Sequence, residues 1–238
     1  MRTALYLTNS GGRNLHRRRT LTELRYSKPP SLTSIRRWSR DFSTNLLGHV
    51  WQAYDLFRDE ALSKVDVSKA EDDLERDITM SLERRIQRVM KAGFEPFTVQ
   101  HGPYEEETRE PAPAQPPQYD IAFVLNGDER VMWPLEAKVL KSDSVAAVKA
   151  YADDVNNQYL TCRYAPFSSE GAMLGYLFSG DENVAFTSIE TKVPCTLSAH
   201  PDFTTRHHKT SEHSRTVPSG KSYPCEFRCH HLIMKIAA

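Results

Sequence analysis

No run of 18 apolar residues occurs in the chain, so nothing in it reads as a helical membrane span. Net charge is also missing: 31 Lys and Arg balance 31 Asp and Glu. Overall charge therefore does not mark a nucleic-acid partner, and any phosphate contact has to come from a local basic patch. Cysteine is scarce. The four thiols, Cys162, Cys195, Cys225 and Cys229, follow no recognisable leader, because the apolar run from Ala4 to Leu7 is too short for one. The expectation is a cytoplasmic protein with reduced thiols and no membrane partner. No glycine-rich phosphate loop is present, so ATP use is not expected. Hydrophobic residues make up only 39% of 238, which suits one domain carrying polar extensions.

What is present centres on residues Tyr119 to Lys138. An apolar arm, Ile121 to Leu125, leads into Asn126-Gly127-Asp128, which tolerates the backbone of a tight hairpin turn. A second arm runs from Arg130 to about Leu140. Side chains alternate across a strand, so Glu136 and Lys138 share one face, while Leu135, Ala137 and Val139 share the other. Asp120 opens the first arm, and pairing of the arms can bring it to Glu136. Two acids and a lysine at one end of a sheet suit a divalent cation and an activated water. Pro134, two residues before Glu136, predicts a bulge or an unpaired side.

Asp120 followed by Glu136-Ala137-Lys138 after a hairpin resembles the PD-(D/E)XK nuclease superfamily, with Tyr119 where that pattern usually has proline. The resemblance spans roughly residues 70 to 236. It includes Arg163-Tyr164-Ala165 and the run from Glu170 to Tyr176, which look like segments of uncharacterised bacterial members found beside anti-phage genes. It implies an α/β, restriction-endonuclease-like mixed β-sheet flanked by helices. It further implies a catalytic set of Glu75, Asp120, Glu136 and Lys138. Asp120, Glu136 and the Ala137 carbonyl would hold Mg²⁺, with Mn²⁺ as a substitute. The implied activity is endonucleolytic hydrolysis of nucleic acid, DNA before RNA, in anti-phage defence, by a homo-oligomer or a subunit of a larger defence complex. The alternative is a catalytically weak nucleic-acid-binding or assembly subunit that keeps the fold.

Three units are expected along the chain: a flexible basic arm (1–45), a helix and connector (46–69) and the nuclease-like domain (70–238). Residues 1 to 40 hold ten Lys or Arg and one acid, Glu23, with Arg17, Arg18 and Arg19 as candidate phosphate contacts. The first helix is read from Leu46 to Leu62. A second, from Ala70 to Ala92, carries Leu74, Ile78, Leu82, Ile86 and Val89 at helical spacing, with Ser68 or Asp66 as its cap. Glu71 and Glu75 fall on the apolar side of that helix; Glu75, in Glu75-Arg76-Asp77-Ile78-Thr79, resembles the acid the family's helix donates, with Glu71 and Glu83 as alternatives.

Further strands are expected at 95–100, 173–178 and 227–236, and helices at 142–160 and 182–192. Lys149, Asn156 and Gln158 are the polar candidates on the helix after Glu-x-Lys. Residues 194–224 read as loop. His213 and Arg215, in Ser211-Glu212-His213-Ser214-Arg215, resemble a segment of related family members, which would give them a phosphate-binding role or one supporting the site; the other reading is a solvated loop. Histidines crowd the last third of the chain, but Cys225-x3-Cys229 has no second matched pair, so zinc is not expected.

Overall fold

The structure is a computed structural model, and it describes residues 32–91, 95–108, 115–193 and 195–236, with side chains from Phe42 onward. Seven strands form one open mixed sheet: β1 (Phe97–His101), β2 (Ile121–Leu125), β3 (Met132–Lys141), β4 (Glu170–Ser179), β5 (Ser198–Ala199), β6 (His208–Ser214) and β7 (Glu226–Lys235). Their order across the sheet is β1-β2-β3-β4-β7-β6-β5. The central pairs β3–β4 and β4–β7 are parallel, and the outer pairs are antiparallel.

Helices cover both faces, as parallel central strands require. On one face lie α1 (Leu32–Glu60) and α2 (Glu71–Met90). Leu47, Val50, Phe57, Ile78, Leu82 and Ile86 pack there against Phe123, Leu135 and Leu174 of the sheet. On the other face, α3 (Val145–Asp154) and α4 (Glu182–Glu190) bring Val148, Tyr151, Phe186 and Ile189 against Leu140, Met173 and Ile233. The strand alternation read from sequence is what divides these two cores. Gly175, opposite Lys138 in register, has no room for a side chain: an added Cβ would lie 2.4 Å from Leu140 Cδ1.

Several sequence expectations are corrected. Helix α1 begins at Leu32, not Leu46, so residues 32–45 belong to a helix and not to a flexible arm. Its buried start (Ser43, Leu46, Leu47) lies among polar and basic residues that hide the periodicity. The cap of α2 is Ala70 with no side-chain bond, because Ser68 spends its hydroxyl on Asp66 at 2.6 Å. The helix expected over 142–160 starts later, at Val145 with Ser144 as its cap, and its last turn, Val155–Tyr159, widens to a π-turn. The stretch read as loop contains the short exposed β5 and also β6, whose polar residues His208, Ser211 and His213 are buried within the fold.

Pro134 makes no bulge. It pairs with Ala122, and the ladder irregularity sits instead at Leu140/Lys141. The amides of Ala137 and Val139 point to the β2 side, where carboxylates accept them. Counting back with period two puts the missing N–H of Pro134 on the β4 side, where the ladder starts only at Leu135.

Candidate active site

The site forms because β3 outruns β2. Pairing between them ends at Ile121 and Leu135, so the next edge amides of β3 have no strand partner there. Carboxylates take their place. Asp120 Oδ2 accepts the Ala137 amide at 2.8 Å, and Glu75 Oε2, from α2, accepts the Val139 amide at 3.0 Å. The Asp120 amide in turn donates to Glu136 Oε1 at 3.3 Å. Two acids are thus fixed by the strand edge itself, a more rigid support than a loop.

Lys138 lies at the centre. Its Nζ is 2.9 Å from the Ala137 carbonyl, 3.4 Å from Glu75 Oε1 and 3.2 Å from Asp154 Oδ2. Burial would lower its pKa, but Glu75, Asp154, Asp120 and Glu136 together outweigh this and hold it well above the ordinary lysine value. The acids shift the other way. Glu136 is 4% exposed, and burial, followed by the Asp120 charge, pushes its carboxyl far up. Burial also raises Glu75 and Asp154 despite the nearby lysine. Four carboxyls around one ammonium leave a surplus of negative charge in a poorly solvated place. A divalent cation among hard oxygen donors relieves that surplus.

Of the three glutamates weighed on α2, Glu75 is the one at this edge. Glu71 is exposed and pairs with Lys141 at 2.5 Å. Glu83 is buried beside Gln87, away from the lysine. Asp154 was missed by the sequence reading. It stands three residues after the buried Tyr151 and one before the buried Val155, so the helical stripe itself could have pointed to it. The polar residues singled out on that helix do other things: Lys149 pairs with Asp153, Asn156 donates to the Lys192 carbonyl at 3.2 Å, and Gln158 is half-buried.

Tyr119, where the resembled pattern has proline, anchors the first arm. Its hydroxyl donates to Glu105 Oε2 at 2.6 Å and accepts the Ala165 amide at 2.8 Å. Tyr164 donates to the Gln118 carbonyl at 3.0 Å and packs edge-on against Tyr119.

Two of the expected nucleic-acid contacts are corrected. Arg215 is 7% exposed, and its guanidinium donates to the carbonyls of Tyr159, Tyr164, Ala165 and Ser168 at 2.6–3.0 Å. It also lies over the Phe227 ring. His213 is buried and bonded to Ser211 Oγ at 2.7 Å. Neither reaches a surface that a phosphate could touch. Arg17, Arg18 and Arg19 lie outside the described residues.

Comparison with protein-family models, with curated proteins and with solved structures finds no match to this chain. No helix among the described residues is long and apolar enough to cross a membrane.

The raised carboxyls make a pH prediction. Burial, against the bond from Tyr119, pushes Glu105 up to about 7, and Glu136 is raised further into that direction by burial and Asp120. Both keep a proton in the fold at a pH where the unfolded chain has lost it. Their stability is therefore complete below the ordinary carboxyl range and is lost as pH rises, through about 7 for Glu105. The buried neutral histidines His200, His208, His213 and His231 act in the opposite sense below the imidazole range, so the carboxyl part is read as a difference: in scanning calorimetry of chelator-treated protein, Glu105→Gln and Glu136→Gln should each gain unfolding temperature relative to the parent as pH rises from about 5 to about 8. Added Mg²⁺ should recover the Glu136 part. Glu136→Gln should remove that part and the Mg²⁺ response, whereas Glu105→Gln should flatten the slope and keep the response. A difference between parent and Gln variants that does not change with pH across this range would contradict the assignment.

Proposed function

We propose that the chain is a metal-dependent phosphodiesterase of the restriction-endonuclease-like type, cutting nucleic acid, DNA before RNA. The observation that carries this reading is the convergence of Glu75, Asp120, Glu136 and Asp154 on the single ammonium of Lys138 at an open strand edge. The helix-flanked mixed sheet, with this set between α2 and β3, supports the restriction-endonuclease-like assignment.

Asp120, Glu136 and the Ala137 carbonyl are the residues that would hold Mg²⁺. The carbonyl already accepts Lys138 at 2.9 Å, and a carbonyl has a second lone pair to offer. That ion acidifies a bound water and stabilises charge on the phosphoryl oxygens. Lys138 supplies a fixed positive charge beside the attacking water and the phosphate. Glu75 and Asp154 hold that ammonium from two sides, so it is oriented before substrate arrives. Asp120 and Glu75, bonded to edge amides, cannot swing away without leaving those amides bare.

The role in bacterial defence, as a homo-oligomer or as part of a larger complex, is proposed on the sequence resemblance. The basic segment with Arg17, Arg18 and Arg19 is the proposed phosphate-contacting arm of an otherwise neutral chain. The test is digestion of duplex DNA, single-stranded DNA and RNA in Mg²⁺, in Mn²⁺ and in chelator, with Glu136→Gln alongside. Cleavage of one class only with metal, lost in Glu136→Gln, is the expected result. No cleavage of any of the three, or cleavage undiminished in Glu136→Gln, would overturn the reading.

A further inference from the structure

A second cluster of ligand-type side chains lies on the opposite side of the sheet from Asp154, under α1. His200 directly follows β5, His208 opens β6 and His230 is in β7. All three are buried, and each offers a nitrogen within 4.8 Å of the other two. Among the described residues no other three His, Cys, Asp or Glu residues meet that condition. His208 Nε2 and His230 Nδ1 are 3.2 Å apart. Two nitrogens on one tetrahedral zinc, at about 2.05 Å each, stand about 3.3 Å apart.

A second observation points to a ligand independently. His230 Nε2 and Glu170 Oε2 are both buried without a good hydrogen-bond partner, and they face each other at 3.5 Å. That is the arrangement in which a carboxylate steadies the far nitrogen of a metal-bound imidazole. A cavity of about 400 Å³ that opens to solvent reaches one edge of the cluster, at His200 and Glu170.

We propose that His200, His208 and His230 form a zinc-type transition-metal site, with Glu170 orienting His230 and a water as the fourth ligand. The ion takes the place of the proton that His208 now shares with His230. In the metal-free fold His208 Nδ1 accepts the Trp51 indole N–H at 3.3 Å, which places its proton on Nε2. When zinc binds Nε2 that proton moves to Nδ1, and the indole contact has to open. His200 likewise exchanges ligand duty against the Asp202 amide that its Nδ1 accepts at 3.2 Å. Because Trp51 belongs to α1 and the histidines to the β5–β7 end, the site adjusts how α1 sits on the sheet. The sequence concealed this site because its ligands come from three separated segments, while Cys225 and Cys229, the residues that suggested zinc, remain free thiols.

The test uses the full chain without an affinity tag, in the Glu136→Gln background, so that an ion held by the proposed nuclease site is not counted. Chelator-treated protein is titrated with Zn²⁺ by calorimetry and with Co²⁺ by visible absorption. One equivalent per chain, the intense visible bands of four-coordinate Co²⁺ and a change in tryptophan fluorescence are expected. Folded His200→Ala should lose at least 100-fold in affinity, and Glu170→Gln about 10- to 100-fold. Trp51→Phe should keep the stoichiometry and reduce the fluorescence change to the part that Trp133, packed against His230, reports. No stoichiometric uptake by the folded parent protein, or weak six-coordinate Co²⁺ bands, would overturn the proposal. So would affinity unchanged by both His200→Ala and His230→Ala. None of these outcomes bears on the nuclease reading, which has its own assay.

Discussion

Lys138→Ala should lower the rate of phosphodiester cleavage by about 10³-fold, the scale on which a positioned proton-transfer or charge-stabilising group acts. Fold and ion binding should survive. Lys138 touches the Ala137 carbonyl, Glu75 and Asp154, and it is a quarter exposed, so its removal opens no large cavity. The ion affinity should stay the same or rise, because one positive charge leaves a group of four carboxyls. Glu136→Ala differs: it removes a ligand oxygen, so activity and Mg²⁺ affinity fall together. Calorimetric Mg²⁺ or Mn²⁺ titration beside the digestion assay separates the two. Parent-level cleavage in Lys138→Ala, with contaminating nuclease excluded, would sink the mechanism.

The largest effect on stability is expected at a residue first read as a phosphate contact. Arg215→Ala strips the donor from four buried carbonyls, those of Tyr159, Tyr164, Ala165 and Ser168. Bonds to a charged donor contribute about 1.5–3 kcal/mol each and do not add, so a loss on the order of 4 kcal/mol is expected. For a chain of this size that lowers the unfolding temperature by roughly 10 °C.

The segment it holds is also strained. Cys162 and Ala165 have φ of 59° and 50°, a conformation that non-glycine residues adopt only when their surroundings force it. Arg215→Lys should recover little, because one ammonium cannot reproduce the guanidinium fork. Through the Ala165 amide on Tyr119 and Tyr164 on Gln118, the loosened segment borders Asp120, so metal affinity should weaken as well. Thermal unfolding of the two variants tests this directly. An unfolding temperature for Arg215→Ala within a degree or two of the parent would show that the carbonyls find water instead.

The two-residue period was enough to say which side chains share a face with Glu136. The turn was not: Asn126-Gly127 was expected to form a tight hairpin turn, but neither residue has a positive φ, β2 and β3 are joined by residues 126–131, and the register runs from Val124↔Met132 to Ile121↔Leu135. The 3.6-residue stripe of α2 marked Leu74, Ile78, Leu82 and Ile86 as buried. Asp120, Glu136 and Lys138 needed only those two periods to be named together. What the sequence could not contain is the relation between elements far apart in the chain. Asp154 became part of the site because α3 brings it to Lys138. Glu75 was separated from Glu71 and Glu83 by where α2 crosses the free edge of β3.

Strand β6 escaped notice because its buried residues are His208, Ser211 and His213, whose polarity is satisfied by partners on α1, β7 and each other; β5 is two exposed residues with no face to read. Arg215 was misjudged for the same reason. An arginine announces its charge in sequence, and only the packed fold shows whether a phosphate or four carbonyls receive it. Periodicity is a property of one segment and survives in the sequence. Polar satisfaction is a property of contacts between segments and exists only once they have met.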